Sequence, residues 1–142
     1  MPVAYLTRRV SFAAAHRYRR PDWSDERNRQ VFGACANPNF HGHLYRCELT
    51  VRAPIDDTTG MSMDLGELDR ALEREVVSTF DHRNINLEVP EFGEGKLIPT
   101  CENLARVIFD RLQRALGQKG TITAVVVRED DSLWAEYRGP EG

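Results

Sequence analysis

The chain has 142 residues, of which 41% are hydrophobic and 29% are charged, and its formal net charge at pH 7 is -3. These values predict one globular domain, residues 1–142, with a substantial core, and they exclude a disordered chain. The net negative charge offers no overall attraction to nucleic acid or to an anionic membrane. Because the sequence contains no long apolar run that could act as a signal peptide or span a bilayer, a cytoplasmic protein is expected.

Two long strands are predicted in the first third of the chain. Apolar residues alternate with polar ones over residues 3–17 and again over residues 43–53, as in strands with one buried face. His16 ends the apolar stripe of the first strand, and His43 begins that of the second. The segment between them, residues 17–32, contains Pro21 and five arginines and is predicted to be a loop.

Two amphipathic helices are predicted in the middle of the chain. Asp64 followed by Glu67 marks a helix start, and leucine and valine recur at helical spacing as far as Phe80. Thr100 is the expected N-cap of the second helix, which ends at Gly117. The residues between the two helices are predicted to form a loop.

Strand signals return near the end of the sequence. Residues 121–128 are rich in β-branched side chains, and residues 133–138 follow after an Asp-Asp-Ser turn. The resulting order is β-β-α-α-β-β. Adjacent strands at each end, with paired helices between them, predict an antiparallel α+β domain and not a doubly wound one.

The segment His41-Gly42-His43 is the first candidate for a functional site. Residues two apart on a strand point to the same face, so both imidazoles can reach one ion, and His16 is a third candidate. Three imidazoles leave the fourth position of tetrahedral zinc free for water or substrate, as in catalytic sites. The same histidines could instead be hydrogen-bonded groups at strand ends, and spacing alone leaves both interpretations open.

The three cysteines fit neither a disulfide framework nor a four-thiolate zinc site. Cys35 lies in a predicted loop close to the candidate ion, where a thiol would be partly exposed and its thiolate favoured. It is therefore a candidate base or nucleophile. Cys47 falls on the apolar face of the second strand and is predicted to be a core residue, whereas Cys101 fits either description.

Three acidic positions have both a structural and a functional interpretation. Asp81 and His82 could pair a carboxylate with a general base, but neighbouring side chains can pair only where the backbone bends. Glu102 lies in the first turn of the second helix, where the helix dipole favours a carboxylate. A carboxylate there also matches the adjacent N–H donors of a pterin or guanine ring. Glu129 likewise has both a structural interpretation and a ligand-binding one.

Five arginines form the only dense positive cluster in the sequence. In an acidic protein such a cluster indicates a binding site for a phosphate-bearing ligand, although a solvated loop is the commoner explanation of such runs. The cluster consists of Arg17, Arg19, Arg20, Arg27 and Arg29.

Six segments, in order and spread over nearly the whole chain, match the motifs of one protein family. They are FAAAHR (12–17), FGACANPNFHGHLY (32–45), GMSMDL (60–65), DHRNIN (81–86), PTCENL (99–104) and VRE (127–129). In these segments the chain resembles the 6-pyruvoyl-tetrahydropterin synthase and 6-carboxytetrahydropterin synthase family. The resemblance implies the tunnelling fold, in which β-β-α-α-β-β subunits join their sheets into a trimeric barrel and two trimers stack as a hexamer.

The resemblance also implies a catalytic centre shared between subunits. Cys35 would be the thiolate that abstracts a proton, and Glu129 would lie near the catalytic relay. Asp81 would orient His82, and both would come from a neighbouring subunit. The implied zinc ligands are His16, His41 and His43.

The implied substrate site lies at the start of the second helix. Glu102 would anchor the pterin, with Thr100 and Cys101 beside it at the substrate. Phe40 and Ala36 differ from the residues common in the family, so the shape of the pocket could differ.

The implied activity is the zinc-dependent elimination of triphosphate from 7,8-dihydroneopterin triphosphate, a carbon–oxygen lyase reaction that forms 6-pyruvoyl-tetrahydropterin. The redox change is internal to the substrate, so no nicotinamide or flavin is required.

The five residues between Cys35 and His41 favour this branch over its alternative, a 6-carboxy-5,6,7,8-tetrahydropterin synthase of queuosine biosynthesis that releases acetaldehyde and triphosphate. A non-catalytic zinc- or pterin-binding module is a third hypothesis. A role in binding nucleic acid is the weakest, given the charge.

Overall fold

The computed structural model describes all 142 residues. Its five strands are β1 (Val3–His16), β2 (His41–Pro54), β3 (Arg83–Asn84), β4 (Thr121–Arg128) and β5 (Trp134–Tyr137). Its five α-helices are α1 (Asp25–Phe32), α2 (Leu65–Leu72), α3 (Ser78–Phe80), α4 (Ile85–Glu88) and α5 (Cys101–Leu116). No helix combines the length and the apolar character that crossing a membrane requires.

All five strands form one sheet in the order β3-β1-β2-β4-β5. The β1–β2 pair is antiparallel, and its register runs from Val3 opposite Pro54 to His16 opposite His41. β4 pairs antiparallel with β2, with a bulge between Thr50 and Val51, and β5 pairs antiparallel with β4. The predicted neighbours among the four long strands are therefore confirmed.

The core lies between one face of this sheet and the helices. α5 packs against β4, β5 and α2, and it contributes eight buried residues. The apolar stripes of β1 and β2 meet it from the sheet side, where Phe12 and Tyr45 stack with their ring centroids 4.9 Å apart. Twenty-seven buried hydrophobic side chains form one cluster, and none of the four histidines belongs to it.

The predicted loop over residues 17–32 is wrong in its second half, which forms α1. Ser24 caps this helix by accepting a hydrogen bond from the N–H of Arg27, and Asp25 and Glu26 occupy the first turn. These three residues were a helix-start signal. It was missed because α1 has no apolar stripe: its only fully buried side chain is Asn28, which exchanges two hydrogen bonds with the backbone of Arg20.

The predicted helix from Asp64 to Phe80 is confirmed as one helical stretch, although it is not uniform. Asp64 caps α2 by accepting from the N–H of Gly66, and a π-helical segment, Glu73–Val77, joins α2 to α3. The second predicted helix is confirmed as α5, with Thr100 as its N-cap and Gly117 at its end.

The region predicted as a loop between the helices contains β3, α4 and a short 3-10 turn, Pro90–Phe92. β3 pairs with β1 in parallel, through Ala14 with Arg83 and Ala15 with Asn84. The expectation of a wholly antiparallel sheet is thus wrong at this edge. Two residues carry no periodic signal, and only the return of the chain to β1 makes them a strand.

Candidate metal centre

Three histidines converge at one end of the sheet. One ring nitrogen from each of His16, His41 and His43 lies within 4.8 Å of the others. The β1–β2 register explains the cluster, because it places His16 opposite His41 and brings His43 to the same face two residues further on. The structure therefore brings together the three residues that the sequence singled out.

His16 is held in one orientation by the chain segment that precedes α5. Its side chain is fully buried, and its Nδ1 lies 2.8 Å from the carbonyl oxygen of Pro99. A carbonyl can only accept, so Nδ1 carries the proton and donates it, and Nε2 keeps its lone pair. The hydroxyl of Tyr45 lies along the same ring edge, 3.3 Å from Nε2.

The neutral form that binds metals is favoured at two of the three histidines. Burial lowers the pKa of His16 to about 4, and burial followed by the proximity of His43 lowers the pKa of His41. Metal binding requires deprotonated imidazole, and the lowered pKa values favour that form of these two rings.

A buried carboxylate completes the centre. Glu129 is 11% exposed, and its Oε1 lies 3.5 Å from Nε2 of His43 and 3.6 Å from Nε2 of His16. These distances are too long for hydrogen bonds, and neither Nε2 of His43 nor Oε1 of Glu129 has any hydrogen-bond partner although both are buried. A cation among them would satisfy both atoms, so the donor set fits a divalent metal ion such as zinc.

The buried neutral His16 makes the metal-free protein sensitive to acid. Its pKa of about 4 in the folded chain compares with 6.5 as its ordinary value, so between these two pH values the unfolded state binds more protons. The contribution of His16 to the free energy of unfolding is therefore fully present above pH 6.5. It decreases by up to about 3 kcal/mol as the pH falls towards 4. Urea unfolding of chelator-treated protein at several pH values measures this slope, and His16→Gln should flatten it. Equal slopes in the two proteins would contradict the assignment.

Cys35 lies in a 3-10 turn, Gly33–Ala36, between α1 and β2. The turn is tied to the residues after His16, because the Cys35 carbonyl accepts the N–H of Tyr18 at 2.7 Å. Burial, and then the charge of Glu129, raise the pKa of the Cys35 thiol. The expected preference for thiolate is therefore not produced by the chain's own groups, and a bound dication is the group that would reverse it.

The other two cysteines are core residues. Cys47 is fully buried, as predicted, and burial raises its pKa to about 12. Cys101 is also buried, and burial, followed by the charge of Glu129, raises its pKa to about 12. The structure thus leaves Cys35 as the one cysteine whose side chain is partly accessible.

Asp81 and His82 form the pair that the sequence allowed only with a bent backbone. The bend is present, since His82 has a positive φ of 59°, and its Nδ1 donates to Asp81 Oδ2 at 2.9 Å. The backbone N–H of Ala13 donates to the other oxygen at 2.8 Å, and these two hydrogen bonds, that from Ala13 first, lower the pKa of Asp81.

The His82 ring does not join the three histidines of its own chain. Its side chain is 83% exposed and lines an open groove of about 570 Å³ with Ala13, Gly42 and Leu44, residues that alternate with the buried ones on β1 and β2. His43 also borders this groove. Within one subunit the candidate acid–base pair and the metal centre are therefore separate groups.

The expected substrate-binding residues lie at the N-terminus of α5. The Thr100 hydroxyl accepts the N–H of Asn103 at 3.1 Å, which is a structural cap. Glu102 is exposed to solvent beside Cys101. Its carboxylate makes no ion pair within the chain, so it is free to meet a ligand.

Four of the five arginines in the cluster fall into two groups, and the fifth, Arg20, lines a neighbouring hollow. Arg17 and Arg19 line a cleft together with Lys96, a basic residue that sequence reasoning missed because it lies almost eighty positions away. Arg27 and Arg29 lie on α1 outside this cleft.

The fold and the site together define an α+β protein with three converging histidines that could hold one metal ion. The sequence pattern of the 6-pyruvoyl tetrahydropterin synthase family matches residues 5–140. The chain belongs to this family.

Individual proteins agree with this assignment over nearly the whole chain. A Drosophila melanogaster protein described as 6-pyruvoyl tetrahydrobiopterin synthase is 41% identical, over 98% of this chain and 82% of its own length. A human protein of the same description is 40% identical, over 96% of this chain and 92% of its own. The solved structure of Caenorhabditis elegans 6-pyruvoyl tetrahydropterin synthase superposes with a TM-score of 0.92 at 33% identity, covering 98% of this chain and 97% of the other.

Proposed function

We propose that the protein is a zinc-dependent pterin synthase, which converts 7,8-dihydroneopterin triphosphate to 6-pyruvoyl-tetrahydropterin and triphosphate. The observation that carries the proposal is the convergence of three imidazoles, two of them with lowered pKa values, beside a buried oxygen of Glu129 that has no hydrogen-bond partner. The descriptions of the relatives support the pyruvoyl product.

The proposed roles of the residues are those that the family resemblance implies, and the geometry of the site supports them. Held by the three histidines, zinc would supply Lewis-acid chemistry that makes substrate hydroxyls more acidic. Cys35, the accessible thiol, removes a carbon-bound proton of the substrate side chain. His82, with its Nδ1 proton held by Asp81, presents Nε2 for a second proton transfer. Glu129 lies near the residues that relay these protons. Triphosphate then leaves, and the redox change stays within the substrate, which needs no separate oxidant or reductant.

Glu102 is the proposed anchor of the pterin ring. Its exposed carboxylate can accept two charge-assisted hydrogen bonds from the ring N–H and the exocyclic amino group. Glu102→Gln should weaken pterin binding by about tenfold, because the amide accepts only through one oxygen and has no charge. Fluorescence titration with a pterin product measures the affinity. Unchanged affinity would move the anchor to Glu129.

We infer that the active sites are shared between subunits of a hexamer built from two trimers. The exposure of His82 and its separation from the histidine cluster of its own chain support this arrangement. The outer strands of the sheet also have unpaired edges, which a barrel would pair.

Subunit mixing tests the shared site. Cys35→Ala and His82→Ala should each be inactive alone and should recover part of the activity after their subunits are exchanged, since some sites would then contain both intact residues. The matched control is Cys35→Ala mixed with His41→Ala. Both of those residues come from the same chain at each site, so this mixture should recover nothing. Recovery in both mixtures, or a fully active monomer in sedimentation, would contradict the shared site.

Product analysis tests the function itself. The protein is incubated with 7,8-dihydroneopterin triphosphate, and the products are identified by mass spectrometry. Triphosphate with 6-pyruvoyl-tetrahydropterin supports the proposal. Acetaldehyde with 6-carboxy-5,6,7,8-tetrahydropterin would instead identify the other branch of the family, and bound metal without turnover would favour a non-catalytic binding module.

A further inference from the structure

A basic cleft lies between the chain that leaves β1 and the chain that enters α5. Its volume is about 130 Å³, and its lining contains Arg17, Arg19 and Lys96 against one carboxylate, Glu94. A second hollow of about 220 Å³ continues it, sharing Arg19 and Lys96 and adding Arg20. The two hollows form one trough with an excess of positive charge.

The cations of this trough are not equally available to a ligand. Arg20 is paired with Asp22 at 2.8 Å, and Arg19 is paired with Asp25 at 2.8 Å. No carboxylate lies within ion-pair distance of Arg17 or Lys96. These two residues line the same cleft from segments far apart in the sequence, and neither charge is compensated by an ion pair within the chain.

Arg17 is held in place from two sides. Its backbone N–H donates to the side chain of Asn86 at 2.9 Å, and its carbonyl accepts from the same side chain at 2.9 Å. Its guanidinium lies 4.9 Å from the centroid of the Phe40 ring, in cation–π geometry. Phe40 keeps this ring in the cleft wall at a positive φ of 65°, a conformation that is strained for a bulky residue.

The cleft adjoins the metal centre at three points of the chain. Arg17 directly follows His16, and Phe40 directly precedes His41. Ile98, in the cleft wall, directly precedes the proline whose carbonyl orients the His16 ring. The wall of the cleft and the metal centre are therefore directly connected along the chain, although the histidine side chains themselves do not line the cleft.

We propose that this trough binds a linear polyphosphate anion, with Arg17 and Lys96 as its principal contacts. Its assignment to the triphosphate arm of the substrate rests on the proposed function; the anion site itself rests on the two free cations. A chain of three phosphates carries more negative charge and more acceptor oxygens than a single phosphate, so it gains more from two uncompensated cations in one cleft.

Calorimetric titration of the full-length protein with inorganic triphosphate tests the site. The protein is treated with chelator beforehand, so that the anion cannot bind through the metal. Arg17→Gln and Lys96→Gln should each weaken binding by about tenfold, as expected for loss of one charged hydrogen-bonding group. Arg17→Lys should retain part of the triphosphate affinity that Arg17→Gln loses. Orthophosphate should bind the original protein more weakly than triphosphate does.

Arg29→Gln is the matched control. It removes the same charge from the same sequence cluster, but it lies on α1 outside the trough, so it should leave triphosphate affinity within about twofold of the original. Equal effects of Lys96→Gln and Arg29→Gln would overturn the site and leave only a general attraction of charge. Lys96 is exposed, so its substitution should not unfold the chain.

The cleft and the proposed function fail independently. If triphosphate binding depends on Arg17 and Lys96 but 7,8-dihydroneopterin triphosphate is not converted, the anion site stands and the substrate assignment is wrong. If the substrate is converted with the same KM by the original protein and by both variants, the function stands and the cleft is not its triphosphate site.

Discussion

Cys35→Ala is expected to lower the turnover of 7,8-dihydroneopterin triphosphate by about 10²- to 10⁴-fold, the usual contribution of a general base. The structure leaves no replacement thiol, because Cys47 and Cys101 are buried and their pKa values are raised to about 12. Zinc content and pterin affinity should be unchanged, since Cys35 is neither one of the three converging histidines nor part of the core. Steady-state kinetics at saturating substrate measure the effect.

Cys47→Ala is the matched control for this substitution. It removes the same group from a fully buried position, so it should lower the free energy of unfolding by about 1 kcal/mol and leave turnover unchanged. A Cys35→Ala rate within a few-fold of the original would remove the thiolate from the mechanism.

The double substitution of His41 and His43 by alanine is expected to abolish both bound zinc and activity. One imidazole, that of His16, would remain, and a single neutral ligand cannot retain a zinc ion against dissociation. The fold should persist, because neither His41 nor His43 belongs to the cluster of 27 buried hydrophobic residues. Elemental analysis of the purified protein gives the metal content, and circular dichroism reports the fold.

His82→Ala is the control for metal loss. Its imidazole is exposed and lies apart from the other three, so this variant should keep its zinc while losing activity. Near-stoichiometric zinc in the His41→Ala, His43→Ala double variant would rule out the histidine centre.

Much of the fold and part of the site follow from local patterns in the sequence. Alternation with a period of two predicts β1 and β2 and the face to which each of their side chains points. Enrichment in β-branched residues and a turn predict β4 and β5. His16 and His43 lie on the apolar stripes of their strands, so their shared face could be predicted before any pairing was known. The caps at Asp64 and Thr100 are also predictable from the sequence, because a cap depends on residues only two or three positions apart.

The remaining features depend on contacts between residues far apart in the chain, and only the tertiary structure decided them. Glu129 meets the histidines because the β2–β4 register brings it to them. Burial, and then the charge of Glu129, raise the pKa of Cys35 against the expectation from sequence. β3 becomes a strand only by pairing with β1, and α1, which lacks an apolar stripe, is anchored by the bonds of Asn28 to Arg20. Lys96 lies beside Arg17 and Arg19 only because the folded chain brings these distant segments to one cleft. The sequence by itself determined which side chains share a face, since that is a property of the local backbone; which faces and chain ends meet depends on the packing of the whole chain.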